Sequence, residues 1–117
     1  MSDHSFVRVV AALREAGQVD TASKLYLLCG IDENEKILSG EWFGYTQNGA
    51  FSYPFILKTG SGELFFGWDE HYMERTNIGG KAIQPQNMFT VSGAEDGEEW
   101  ESTYQIISVC RYDDVLP

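Results

Sequence analysis

Residues 88–112 read MFTVSGAEDGEEWESTYQIISVCRY, and no other stretch constrains the fold as much. It has the form of a strand, a sharp acidic turn and a second, longer strand. Side chains alternate along a strand, so Trp100, Tyr104, Ile106, Cys110 and Tyr112 are expected on one face, with Ile107 and Val109 on the other. A strand apolar on both faces near its middle belongs in the centre of a sheet. The turn between the two strands carries Glu95, Asp96, Glu98, Glu99 and Glu101 and no basic residue.

The same period of two recurs upstream. Residues 42–47 and 50–57 flank Asn48-Gly49, a strong short-range hairpin signal. A turn at Asn48-Gly49 sets Trp42 against Phe55, Gly44 against Tyr53 and Thr46 against Phe51, with the Tyr53 ring free to lie over Gly44. Pro54 marks an edge, a bulge or a bend in its strand. Strands over 55–58 and 63–68 flank the turn Gly60-Ser61-Gly62, with Leu64, Phe66 and Trp68 on one face and Phe65 on the other. Residues 69–77 are the most irregular and fit a short helical turn or a bent strand. A tight turn at Ile78-Gly79-Gly80-Lys81, a short strand over 81–84 and a loop around Pro85 lead to strands over 88–92 and 100–112. The tail 113–117 is expected to be loose.

The first 31 residues read differently. Phe6, Val9, Val10 and Leu13 follow the i, i+3, i+4, i+7 spacing of an amphipathic helix, with Asp3 or Ser5 as its cap and Gly17 just past its end. Asp20 can cap a second helix over 21–29 that buries Ala22, Leu25, Leu28 and Cys29 and stops at Gly30. The expected fold class is therefore α+β. An N-terminal αα-hairpin (1–31) precedes a strongly bent antiparallel sheet of five to seven strands (41–112). A partly closed small barrel, bent at Gly44, Gly67 and Gly79, is the alternative. At 117 residues the chain is expected to be a single domain, 1–117.

Charge narrows the function classes. The net charge is -10. Phosphate backbones and anionic membrane surfaces both call for clustered Lys and Arg, so neither nucleic acid nor a membrane is an expected partner. Arg8, Arg14 and Lys24 balance Asp3, Glu15 and Asp20, so residues 1–31 are neutral and a helix-turn-helix there lacks its electrostatic footprint. The whole charge of -10 thus belongs to residues 32–117. Residues 1–5 are polar with no apolar signal core behind them, and no run reaches the ~20 apolar residues of a membrane helix. With Cys29 and Cys110 far apart in sequence, two free thiols in a reducing cytoplasm are expected.

No catalytic constellation stands out. Asp69, Glu70 and His71 are adjacent and point different ways, His4 is remote, and no Cys-x-x-Cys or His-x-x-x-His spacing exists. The Asp32-x-Asn34 start of a calcium loop lacks the Gly and the distant Glu that such a loop requires. Cys29 and Cys110 sit in apolar surroundings, and Ser61 is a turn residue. Glu41, Glu63 and Glu74 each lie beside aromatics, and the sequence does not choose among them. Gly60-Ser61-Gly62 and Ile78-Gly79-Gly80-Lys81 are too short for phosphate loops. No cofactor, no metal and no enzymatic activity are expected.

A charge run is usually a solvated face. The functional expectation is that this one binds. A small acidic, non-enzymatic protein would occlude a basic protein partner, as an immunity protein or an inhibitor imitating nucleic-acid charge does. Glu95, Asp96, Glu98, Glu99 and Glu101 would steer the approach and Trp100 would anchor it. The alternatives are a small-ligand or assembly module using the aromatics of residues 42–68, and an enzyme built on a buried carboxylate or histidine with a shifted pKa.

Overall fold

Residues 5–31 form strands, not helices. In the computed structural model, which describes residues 4–67 and 72–112, β1 (Ser5–Glu15) and β2 (Gln18–Ile31) make a long antiparallel hairpin. The same apolar letters serve both periods. Val7, Val9 and Ala11 alternate along β1, as do Leu25, Leu27, Cys29 and Ile31 along β2, and all seven are buried. Their β-branched content suits a pleated surface. The turn decides the matter locally. Ala16 and Gly17 have φ of 52° and 78°, the two left-handed residues of a type I′ hairpin turn, so Gly17 ends no helix.

The remaining strands are β3 (Glu41–Asn48), β4 (Phe51–Lys58), β5 (Glu63–Phe65), β6 (Met73–Thr76), β7 (Met88–Glu95) and β8 (Glu98–Arg111). Each is antiparallel to the next, and β8 pairs back onto β1 to close an eight-stranded up-and-down barrel. The expected α+β arrangement of a helical hairpin on a bent sheet is therefore overturned. The physical reason is edge satisfaction. As a strand, β1 fills the gap between β2 and β8 and leaves no open edge in the ring. A short 3₁₀ turn lies at Ile78–Gly80. Among the described residues no helix is long and apolar enough to cross a membrane.

Two registers differ from expectation. The β3–β4 loop is Gly49-Ala50, with Gly49 at φ 61° in its first position, the pattern of a type II′ turn. Pairing therefore shifts by two residues, to Trp42–Leu57, Gly44–Phe55 and Thr46–Tyr53, and every side chain keeps its face. The ring over Gly44 is that of Phe55; a Cβ at Gly44 would come 2.6 Å from its Cζ. In β8 the pairing jumps from Val10–Ser108 to Ala11–Ile106, so Ile107 is an extra, bulged residue. Trp100, Tyr104 and Ile106 share the inner face. Beyond the bulge the alternation inverts: Val109, opposite Val9, packs on the core, and Cys110 lies opposite Arg8 on the outer face. The shared face expected for Cys110 with Trp100 is lost for that reason.

The interior is apolar, filled by side chains such as Val7, Leu27, Phe55, Leu64, Phe89 and Ile106. The lower end is plugged by Ile31, Ile37, Ile78 and Ile83. Residues 81–84, expected as a strand, are irregular; there the Ile83 N–H donates to the Glu35 carbonyl at 2.8 Å, and the Lys36 ammonium donates to the Gly80 carbonyl at 2.8 Å. The upper ends of β7 and β8 run on past their neighbours. The last β6–β7 pair is Arg75–Ser92 and the last β1–β8 pair is Arg14–Thr103. Gly93, Ala94 and Glu95 on β7 and residues 98–102 on β8 thus form a two-stranded arm.

Gly44→Ala should destabilise the protein by about 1–3 kcal/mol, because the new methyl is forced against the Phe55 ring and the Tyr26 carbonyl. Gly60→Ala, with open space at its Cβ, should stay within about 0.5 kcal/mol of the parent in the same urea titration.

Candidate functional site

An isolated two-stranded ribbon is marginally stable in water, so the arm needs an anchor. Trp100 supplies it. Its side chain points inward from β8, and its indole lies across the backbone of Gly93 on β7, where a Cβ would come 2.7 Å from Cζ2. Only glycine leaves that space. The other face of the ring packs on the core cluster, so Trp100 is half-buried and half-presented.

Around this tryptophan the structure gathers all six residues that the sequence singled out. Glu95 and Glu98 face each other across the Asp96-Gly97 turn, whose φ values of 53° and 82° again give a type I′ geometry. Glu95, Asp96, Glu98 and Glu99 line one hollow of about 340 Å³ with Trp100. Glu99, Trp100 and Glu101 also line a larger cleft of about 590 Å³, where the arm parts from β6. The five carboxylate residues are exposed. Arg75 and Met73 form the opposite wall of the cleft. Arg75 is the one basic side chain lining it among the described residues, and nothing in the local sequence connects it with the acidic turn; the β6–β7 pairing does.

A second cluster lies inside the upper barrel. Of the three glutamates left open by the sequence, Glu74 is the one that faces inward, paired with buried Leu64 on β5. Glu41 and Glu63 lie on the outer wall, opposite the two sides of Lys58. The Tyr72 hydroxyl donates a hydrogen bond to the Glu74 carboxylate. Burial raises the Glu74 carboxyl above the ordinary glutamate range, and the Tyr72 bond acts in the opposite direction. Tyr104 is also raised, by burial first and then by the nearby Glu74 charge. Aromatic rings surround the group. Phe66 meets Tyr72 edge-on at 5.8 Å and Phe55 at 5.7 Å, and Tyr104 stacks on Phe89 at 5.7 Å.

The other candidates take structural places. Burial in the core pushes the Cys29 thiol up to about 12, so it stays protonated at neutral pH and is no nucleophile. Cys29 and Cys110 form no disulfide. Asp69, Glu70 and His71 lie outside the described residues. Among the described residues no group of three His, Cys, Asp or Glu side chains is placed to hold a metal ion. Comparison of the chain with protein-family models, with curated proteins and with solved structures gives no match, so its function is argued from this geometry.

Glu74→Gln keeps an acceptor for Tyr72 and removes the charge. Because the folded-state pKa of Glu74 is raised, its protonated form is the one that folding favours. Wild-type stability from this group is complete below the unfolded-state pKa and is lost as pH rises through the folded one. Urea titrations should find the variant more stable than the parent at pH 7, with the gain vanishing once the carboxyl is protonated in both states. A gain that persists at acid pH would contradict the assignment.

Proposed function

We propose that this chain is a non-enzymatic binding protein that uses its acidic β7–β8 arm to cover a basic protein surface. Its role would be that of an immunity protein or of an inhibitor imitating nucleic-acid charge. The observation that carries the reading is the convergence of Glu95, Asp96, Glu98, Glu99 and Glu101 around the half-exposed Trp100, on an arm that stands clear of the barrel wall. Aromatic side chains with an exposed face in a hollow are typical anchors, and surrounding charges act mainly on encounter. Association would be fast at low salt and slow at high salt, because exposed charges are screened beyond about 8–10 Å at ordinary ionic strength. The packing of Trp100 on Gly93 ties the arm to the core before binding, which would limit the ordering cost on association.

The reading also keeps the protein in a reducing cytoplasm and off the membrane. Its free thiols support the first. Its apolar interior supports the second, since barrels that span membranes are polar inside and apolar outside.

The test is retention of partners from a lysate of the source cell on the immobilised protein, eluted by a salt step. A variant with the five arm carboxylates changed to Gln or Asn should fold normally and lose the salt-eluted basic proteins. Trp100→Phe should keep the arm and weaken binding by about tenfold. Retention of the same proteins by the neutralised variant would rule out the arm as the interface.

A second reading, small-ligand binding in the upper barrel, is favoured by the inward Glu74 carboxylate with Tyr72 and Tyr104 beside it. A barrel of eight strands is wide enough for side chains or one small ligand. A compound library screened by thermal shift should then yield hits whose shift disappears in Glu74→Gln, while the arm variant leaves those hits unchanged.

A further inference from the structure

The outer wall from β3 to β6, which borders the acidic arm at β6, carries a different kind of surface. Strand register sets Phe43, Ile56, Phe65 and Met73 side by side across β3, β4, β5 and β6. One step higher, Tyr26, Tyr45 and Pro54 form a second row, with the two tyrosine rings stacked at 4.5 Å. Phe43 is 49% exposed, and an apolar groove of about 160 Å³ runs between it, Ile56 and Phe65. Polar residues bound the patch above, at Lys24, Gln47 and Ser52. Below, a charged row crosses the same four strands in the order Glu41, Lys58, Glu63, Arg75. A contiguous apolar face rimmed by polar residues marks an interaction site.

The charged row identifies the occupant. Its signs alternate, minus, plus, minus, plus, and an even alternating row is complementary to its own reverse. We propose that this face docks a second copy of the chain. The two-fold axis runs along the strands between β4 and β5 and lies in the plane of the interface. Under that operation the Phe43–Ile56–Phe65–Met73 row and the charged row, both centred on β4 and β5, each meet themselves reversed. Glu41 meets Arg75, Lys58 meets Glu63, and Ile56 meets Phe65 across the axis, an isologous contact. The four charges of this row cancel, while the chain as a whole carries -10, so self-association here escapes the repulsion that opposes it elsewhere. Lys58 of the charged row also reaches the apolar row, with its ammonium 5.3 Å from the centre of the Phe65 ring. Strand β6 borders β7, so Met73 and Arg75 at the edge of this face also line the cleft of the acidic arm. The inference does not rest on the partner-binding proposal, although the two surfaces share Met73 and Arg75.

Sedimentation velocity of the full chain over a concentration series tests it. The parent should move from the 13.2 kDa monomer to a species of twice that mass. Phe43→Glu should weaken association by about tenfold or more. Lys58→Glu and Glu63→Lys should each weaken it by a similar factor, because each brings like charges together twice. The double swap, Lys58→Glu with Glu63→Lys, should restore it. Circular dichroism on each variant separates lost association from lost folding. A parent that stays monomeric at the highest concentration reached overturns the proposal and assigns the face to a different partner. So does a dimer indifferent to Phe43→Glu, or a double swap as weak as the single changes.

Discussion

Strand β1 is hydrogen-bonded on both sides, to β2 and to β8, and everything else in the structure hangs on that double pairing. Without it β2 and β8 would each present a long row of unpaired amides and carbonyls, an invitation to aggregate. With it the sheet closes, and alternate residues of all the strands converge on one interior. Closure also imposes the bulge at Ile107. The extra residue turns the β8 alternation over, bringing Val109 onto the core beside Val9 and sending Cys110 outward. The lower plug follows from the same geometry. The loops that join β2 to β3 and β6 to β7 have to cross the open lower end, and they cover it with Ile37, Ile78 and Ile83.

The barrel's strands are unequal, and the inequality creates the candidate site. β5 and β6 are short, at three and four residues, while β7 and β8 run to eight and fourteen. The excess has no neighbour to pair with and stands out as the arm. A free ribbon of this kind gains little from its own hydrogen bonds. One apolar contact, the Trp100 indole closing over Gly93, ties the arm to the core and at the same time presents part of the ring to the cleft. The carboxylates on the arm destabilise it by mutual repulsion and are tolerated because all five are in water.

The surface is therefore divided. The upper ends of β7 and β8 carry the acidic arm, and β3 to β6 carry apolar rows with an alternating charged border. The upper interior adds a third environment, a partly buried carboxylate held by a tyrosine hydroxyl among aromatic rings. Each arises from the same alternation of side chains in and out of the wall, combined with the strand-to-strand register that aligns residues distant in sequence.

Much of this was legible in the chain itself. Although the loop is Gly49-Ala50 and its register lies two residues from the one expected around Asn48-Gly49, a hairpin there, a hairpin at the acidic turn and the shared face of Trp100, Tyr104 and Ile106 follow from local period and turn chemistry. These are properties of residues near one another, and the sequence by itself determined them. It did not determine whether residues 5–31 are helix or strand, because apolar residues at nearly every position from Val7 to Leu13 fit both periods. That choice was made by the empty place between β2 and β8, which exists only in the closed sheet. The same holds for Glu74 over Glu41 and Glu63, for Arg75 beside the acidic arm, and for the far side of the bulge. Each depends on which strand lies next to which, a long-range pairing energy that no local window contains.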